Sequence, residues 1–418
     1  CVTGVQTCAL PILNSGTDET VGVSEIVDYA PYYYYTYSPS SNFGRDAWLF
    51  LYTGISRANF LLDSIDKIPF ENPTKKAQII AEARFLRAIY YQYLAWMYGG
   101  IPIKINTFTG EDIQADAERN SLQEVYAAIE SDLLFAYQNL DDNSRVAGAA
   151  NKWSAAGYLS KMYIYLASCK ENNVGKDFQD ISLNSFDWVN SDAMYGKAYE
   201  VNSAIIGKKS LTDDYFHLFR SEKNSSTYNE VLFGVEATNN QDVVMIYVEA
   251  FIPQGNVNIS GGGYGYMRPG MDLYNKYDRV NDLRFKNNIT ANHGANVAAL
   301  TTEVLDGSTY YVPLSLPANI TATYRNLCIG KWRYPKPGTK SIETWASDCN
   351  FQLIRYADIL LLQAELEFKY KKDEAAARNY LKLVRERAVK KDATKLGILT
   401  TRYNKINFMD ELLDERSR

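Results

Sequence analysis

Lys75–Gly100 reads KKAQIIAEARFLRAIYYQYLAWMYGG, and this stretch decides the fold class. Ile79, Ala83, Leu86, Ile89, Tyr93 and Met97 step by three or four residues, as one face of an amphipathic helix does. Gly99 and Gly100 supply the backbone freedom that ends such a helix, and Pro102 stops it from resuming. Just before it, Asp46–Pro69 (DAWLFLYTGISRANFLLDSIDKIP) reads as a second helix. A short connection makes the two a hairpin.

The pattern recurs along the chain. Ser121–Leu140 is helical, with Ser121 and Glu124 spaced as a capping box. Asn151–Ser168 follows, with Leu159, Tyr163 and Leu166 on one face and Ala155 and Ala156 permitting close approach. Phe351–Tyr370 and Asp373–Lys390 form a last pair. Repeated helical hairpins of this kind predict a mostly α protein with tetratricopeptide-like packing, although no strict period is visible. Residues 201–350 have another texture: Gly, Asn, Ser, Thr and Tyr with short β-like runs such as EVLFGVEA, and the glycine-rich SGGGYGYMRPG. The expected organisation is a single domain over 13–418. Its helical scaffold covers about 46–170 and 351–418, and a loop-rich ligand region with minor β structure covers about 171–350.

The first residues, CVTGVQTCALPI, stand apart. Val2 to Ile12 can be back-translated into a synthetic adapter used in short-read DNA sequencing, so residues 1–12 are read as an artefact and excluded from fold reasoning. Cys1 is therefore not taken as a lipidated cysteine.

Composition narrows the function. With 44 basic and 49 acidic residues the formal charge is −5, which argues against a general nucleic-acid binder. No apolar run approaches the roughly 20 residues of a membrane span. Outside the adapter-like segment the cysteines are Cys169, Cys328 and Cys349, too sparse for a disulfide framework or a zinc pattern and expected as small buried hydrophobes. Only 2 histidines occur, which leaves little room for histidine-based catalysis, and no Walker, Rossmann, HExxH or EF-hand motif is present. No metal site, catalytic residue or cofactor is called for.

There are 33 tyrosines, enough to suggest a surface for something with both apolar faces and hydroxyls. DYAPYYYYTYSPSSNFGRDAW sets Tyr32 to Tyr35 in a row with Tyr37 close behind, among prolines and serines that favour a loop. Such rings can stack on the C–H face of a sugar, so Tyr33, Tyr35 and Tyr37 are candidate ligand residues. The alternative is an extended strand with alternate rings packed on the scaffold. Tyr264, Tyr266 and Arg268 form a second candidate group on a flexible glycine-rich loop. Trp332 and Tyr334 are a weaker third. Trp48, Trp96 and Trp153 fall in helical patterns and are read as core. Arg355 with Asp358, and Glu365 with Lys369, are read as pairs along one helix rather than as catalytic carboxylates.

EARFLRAIYYQYLAWMYGGIPI, IRYADILLLQAELEF and LVRERAV together resemble the SusD/RagB family of Bacteroidetes outer-membrane lipoproteins. WLFLYTGISRANFLLDSID, DDYFHLF and the Asp-x-Arg at Asp282, Leu283 and Arg284 fall in the same order. Asp358 stands where the family often has Glu, and Lys382 where it often has Asn. The ending, FMDELLDERSR, resembles a family helix that continues further, so the chain is read as truncated at both ends. The resemblance implies a lipid-anchored protein of the outer-membrane surface that takes part in carbohydrate uptake. It would bind oligo- or polysaccharide, without catalysis, for a SusC-like TonB-dependent transporter. The charge balance leaves no nucleic-acid partner expected, and the resemblance implies membrane contact solely through the anchor. The alternatives are a helical-repeat scaffold for a protein partner, or a glycoside hydrolase with two carboxyl groups about 5–10 Å apart.

Overall fold

The computed structural model describes residues 17, 19–22, 30–38, 42–107, 117–176, 181–219, 229–236, 265, 267–291, 301–305, 308–312, 327–331 and 350–418. Residues 1–12 lie outside this set. In chain order the first elements are β1 (Thr20–Gly22), α1 (Ala30–Tyr33), α2 (Asn42–Ser64), α3 (Pro73–Tyr98), α4 (Leu122–Asn139), α5 (Lys152–Glu171) and α6 (Ser191–Ser203). Then come β2 (Val231–Val235), β3 (Met267–Pro269), α7 (Met271–Lys276), α8 (Leu283–Asn288), β4 (Ile289–Ala291), β5 (Thr301–Leu305), β6 (Ser308–Val312) and β7 (Leu327–Ile329). The chain closes with β8 (Phe351–Arg355), α9 (Tyr356–Lys369), α10 (Glu374–Ala388), α11 (Ala393–Tyr403) and α12 (Phe408–Ser417). The protein is mostly helical, with minor β structure in two-stranded pieces. It divides into two compact units. One comprises Gly44–Lys209 with Glu365–Asp373; the other comprises Ser210–Ala364, Glu374–Arg418 and the described part of Leu10–Phe43.

In the first unit α3 packs on α4, α4 on α5 and α5 on α6. Helices α2 and α3 run in opposite directions: Trp48 meets Tyr98 with ring centroids 5.0 Å apart, Gly54 faces Tyr90, and Asn59 meets Arg87 at 2.8 Å. The helix ends follow local chemistry. Asn72 accepts from the Thr74 and Lys75 amides ahead of Pro73 at the first helical position. Ser121 and Glu124 close the expected capping box, and Asn151 with Ser154 closes another. Gly99, at φ 73°, ends α3. That helix is not one-sided, however. From Arg87 to Ala95 every residue is buried: α4 packs along the helix, and Gly54 and Asn59 of α2 meet Tyr90 and Arg87. Arg87 is tolerated there because it donates to both Asp132 oxygens, at 2.7 and 2.9 Å, and to Asn59 and the Ile105 carbonyl.

In the second unit β2 pairs antiparallel with β8, β4 with β7, and β1 with β3. Tyr274, Tyr277, Phe285, Ile289 and Leu327 form a small aromatic core. The expected helix from Phe351 begins later than its apolar pattern suggested: Phe351–Arg355 is strand β8, drawn out by pairing with β2. Asp358 then reaches back to the Arg355 amide at 2.8 Å, while the Arg355 guanidinium meets buried Glu230 at 3.4 Å. Glu230 also takes Arg387 on both oxygens. In the first unit, Lys369 meets Glu171 at 2.8 Å. Trp153 is buried, while Trp48 and Trp96 are half-buried in aromatic contacts. Cys169 and Cys328 are free and buried; Cys349 lies outside the described residues.

Candidate functional site

The tyrosine row is neither an open loop nor a strand. Ala30–Tyr33 makes one helical turn, and the Thr36 amide donates back to the Pro31 carbonyl at 2.8 Å. Tyr35 has φ 54°, so the turn ends in a left-handed residue, the arrangement that commonly closes helices. A tyrosine there costs roughly 1–2 kcal/mol in backbone sterics that glycine would avoid.

The rings then sort by position. Tyr32 is buried, and Tyr37 lies on it with centroids 5.3 Å apart and planes 10° from parallel. Tyr34, Tyr35 and Tyr37 are 54%, 70% and 57% exposed. Tyr33 belongs to α1, and its side chain lies outside the described residues.

Strand β1, just upstream, carries the second half of the geometry. It pairs with β3 in the register Thr20 with Pro269, Val21 with Arg268 and Gly22 with Met267. The Gly270 amide donates to the Glu19 carbonyl at 2.6 Å, and the Glu19 carboxylate binds Lys276 at 2.8 Å. Helix α1 lies against β1. The tyrosine turn and the strand of Arg268 thus belong to one local assembly, although more than 200 residues separate them in the sequence. Arg268 itself is 9% exposed and donates to the Gly265 carbonyl at 3.1 Å, so it shapes the strand's approach more than it displays charge. Tyr264 and Tyr266 lie outside the described residues, as do Trp332 and Tyr334.

Tyr32 and Tyr34 were not among the residues singled out by sequence. Tyr32 backs Tyr37, and Tyr34 is displayed beside Tyr35. The four-tyrosine run signals both, but without the turn's hydrogen bond nothing says which ring faces inward.

The acids drawn into the interior are held by arginines. Asp282, fully buried, takes both Nε and Nη2 of Arg284 at 2.9 and 2.7 Å, and also accepts from the Tyr403 hydroxyl. Burial alone would raise the Glu415 carboxyl, but Arg284, Arg385 and Arg418 bring it down to about 2. Tyr403, at the same cluster, is pushed well above the ordinary phenol range by burial and by Asp282. Among the described residues no group of His, Cys, Asp and Glu is arranged to hold a metal ion. In the first unit, a separate cavity of about 420 Å³ lies between the end of α5 and Ser182–Asp187, lined by Cys169, Lys170, Ser185 and Phe186. It contains none of the candidate ligand residues Tyr33, Tyr35, Tyr37, Tyr264, Tyr266 and Arg268. No helix among the described residues is long and apolar enough to cross a membrane.

Among the described residues, one unit is built of packed helical hairpins, and the other displays the exposed rings of Tyr34, Tyr35 and Tyr37. Residues 22–164 match a family described as starch-binding and associating with the outer membrane, and residues 187–418 match the SusD family. The chain belongs to the SusD family. It is similar to SusD-like protein P25 of Formosa agariphila, with 23% identity over 89% of this chain and 66% of that protein. Two solved structures share its fold. One, determined with a xylogluco-oligosaccharide, is 19% identical with a TM-score of 0.72, covering 99% of this chain and 77% of that one. The other, described as a laminarin-binding SusD-like protein, is 20% identical with a TM-score of 0.70, covering 100% and 91%. The chain spans 66%, 25% and 62% of the lengths of three curated relatives it matches.

Proposed function

We propose that this chain is the glycan-binding part of a lipid-anchored protein of the outer-membrane surface. It takes up an oligo- or polysaccharide and delivers it to a SusC-type TonB-dependent transporter, without catalysis. The observation that carries the reading is the β1–β3 pairing, which joins the tyrosine turn to the strand of Arg268. Tyr35 and Tyr37 offer exposed rings there for the apolar face of a sugar, and their hydroxyls offer hydrogen bonds. Tyr33, Tyr264 and Tyr266 are assigned to the same ligand surface by their place in the sequence.

The family description, starch-binding and outer-membrane associated, supports this reading. So do the two relatives of shared fold named for a xylogluco-oligosaccharide and for laminarin. Against a hydrolase, the Glu19 carboxylate beside β1 is held by Lys276 at 2.8 Å. A glycosidase needs two carboxyl groups flanking the bond it cleaves.

A helical surface for the transporter is favoured by α2, where Leu49, Phe50 and Phe60 are 44–63% exposed. Isolated exposed apolar residues are ordinary, but three along one helix suit a partner surface.

Affinity electrophoresis through gels containing single polysaccharides tests the proposal. Wild type is expected to be retarded by at least one glycan, and a Tyr35→Ala/Tyr37→Ala double variant to run freely. No retardation by any glycan would reject carbohydrate as the ligand.

A further inference from the structure

Glu19 ties the first strand of the chain to its last helix. Its backbone carbonyl accepts from the amide of Gly270, the N-cap of α7, at 2.6 Å. Its carboxylate accepts from Lys276, the last residue of α7, at 2.8 Å, and from the Ser417 hydroxyl of α12. One residue thus grips both ends of a six-residue helix. Lys276 is the centre of the arrangement. Its ammonium also meets Asp414 of α12 at 3.5 Å, and its carbonyl accepts from Arg418 Nε at 3.0 Å. Partial burial lowers the Lys276 ammonium, but Glu19 and Asp414 more than offset this and hold it above its ordinary range.

The strand itself is a slight attachment. It pairs with β3 over three residues, and a two-stranded ribbon is marginal in water even when longer. Glu19 and Thr20 are half-buried. The Glu19 and Lys276 side chains are 33% and 23% exposed, so their ion pair adds a modest increment rather than a lock. A segment held in this way opens locally while the rest of its unit stays folded. Helix α1, the tyrosine turn, lies against β1, so a strand that leaves β3 takes the support of the turn with it.

We infer that Glu19 is a positioning residue: through Lys276 it clasps β1 to α7 and α12, and the docked strand sets the place of the ligand site. Ligand binds the clasped form, so binding and clasping stabilise one another. This rests on the glycan-binding reading above and adds the residue pair, remote from any ligand contact, that controls the site.

Amide hydrogen exchange of the full chain tests this, with laminarin and a xylogluco-oligosaccharide as probes and calorimetry to measure their binding. The Gly270 amide, bonded to the Glu19 carbonyl, reports the clasp, and amides in the middle of α10 report the unit as a whole. Glu19→Gln keeps an acceptor for Ser417 but loses the charge. It should speed exchange at Gly270 about 3- to 10-fold and leave α10 unchanged. In a Lys276→Met background the same substitution should have no further effect, since the two residues act as one pair. A probe at ten times its Kd should slow Gly270 exchange about tenfold, because a ligand held by the clasped form suppresses opening by a factor of 1 + [L]/Kd. Gly270 exchange that Glu19→Gln leaves unchanged, or that rises equally in α10, overturns the clasp. A bound probe that does not slow Gly270 exchange overturns the coupling of the clasp to the ligand site. Wild type that binds neither probe overturns the glycan-binding reading and the coupling, while the Glu19→Gln comparison still decides the clasp.

Discussion

One oxygen of Glu415 accepts from Arg284 at 2.7 Å while the other accepts from Arg385 at 2.8 Å. The carboxylate thereby joins α12 to α8 and α10. Arg284 turns its remaining donors to Asp282, two residues back on the chain, and Arg385 also meets Glu411 at 2.9 Å. The Asp-x-Arg of the sequence is thus a fixed half of a buried ion network, with its other half more than a hundred residues later. Such a network is costly to desolvate and strongly destabilising to break on one side.

Acid should expose this network. The Glu415 carboxyl sits at about 2 in the folded chain against an ordinary 4.5, so the folded state binds fewer protons than the unfolded state between those values. Its contribution is fully present above about pH 4.5 and is lost as pH falls to about 2, amounting to as much as about 3 kcal/mol. Urea unfolding at pH 7, 4, 3 and 2.5 measures it. Glu415→Gln should be less stable at pH 7 and show a shallower acid decline; a parallel decline in both proteins would place the acid sensitivity elsewhere.

Asp132 holds Arg87 in the buried middle of α3 and also takes Arg84 at 2.6 Å. Asp132→Ala leaves Arg87 without its carboxylate and should cost about 3–5 kcal/mol. The double variant Arg87→Met/Asp132→Leu should recover much of that loss, because the burial of unpaired charge is gone. Denaturant midpoints of the three proteins decide it, and a double variant as unstable as Asp132→Ala would mean that geometry, not charge, is what the pair provides.

Much of the helical scaffold was legible because its signals are local. The step of Ile79, Ala83, Leu86 and Ile89, the Ser121–Glu124 box and the glycine pair after Tyr98 each act within a few residues. Phe351–Arg355 was misassigned as helix for the opposite reason: its strand form comes from β2, far away in the chain, and no local pattern reports a distant partner. The geometry of the candidate site was partly legible. The tyrosine row and the Arg268 stretch could be marked by composition, but their meeting through β1 and β3 depends on a pairing of three residues on each side. Nor could spacing show that Tyr32 turns inward or that Tyr35 takes a glycine conformation, since both follow from the hydrogen bond between Thr36 and Pro31.

Gly54 allows the close approach of α2 and α3. A Cβ there would lie 2.5 Å from the Tyr90 ring, which is itself buried. On a free helix surface Gly→Ala gains up to about 1 kcal/mol. Here Gly54→Ala should instead destabilise by about 1–3 kcal/mol through overpacking. Adding Tyr90→Leu should restore part of the loss, as read from thermal unfolding of the single and double variants. A stabilised Gly54→Ala protein would contradict the packing of these two helices.

The two candidate groups should fail in different ways. Arg268 is buried on β3 and fixes the Gly265 carbonyl beside the strand that leads to the tyrosine turn. Arg268→Ala removes that hydrogen bond and buried packing, so it should lower both the melting temperature and glycan retention. Tyr35→Ala acts at an exposed ring and should reduce retention with little change in melting. Salt adds a further distinction. Retention through neutral stacking should be nearly equal at 0.05 and 0.5 M sodium chloride, whereas binding through charge would weaken strongly across that range. Affinity electrophoresis of both variants at the two salt concentrations, with melting curves beside it, checks all three statements. A strong salt dependence in wild type would move the recognition from the tyrosines to charged groups.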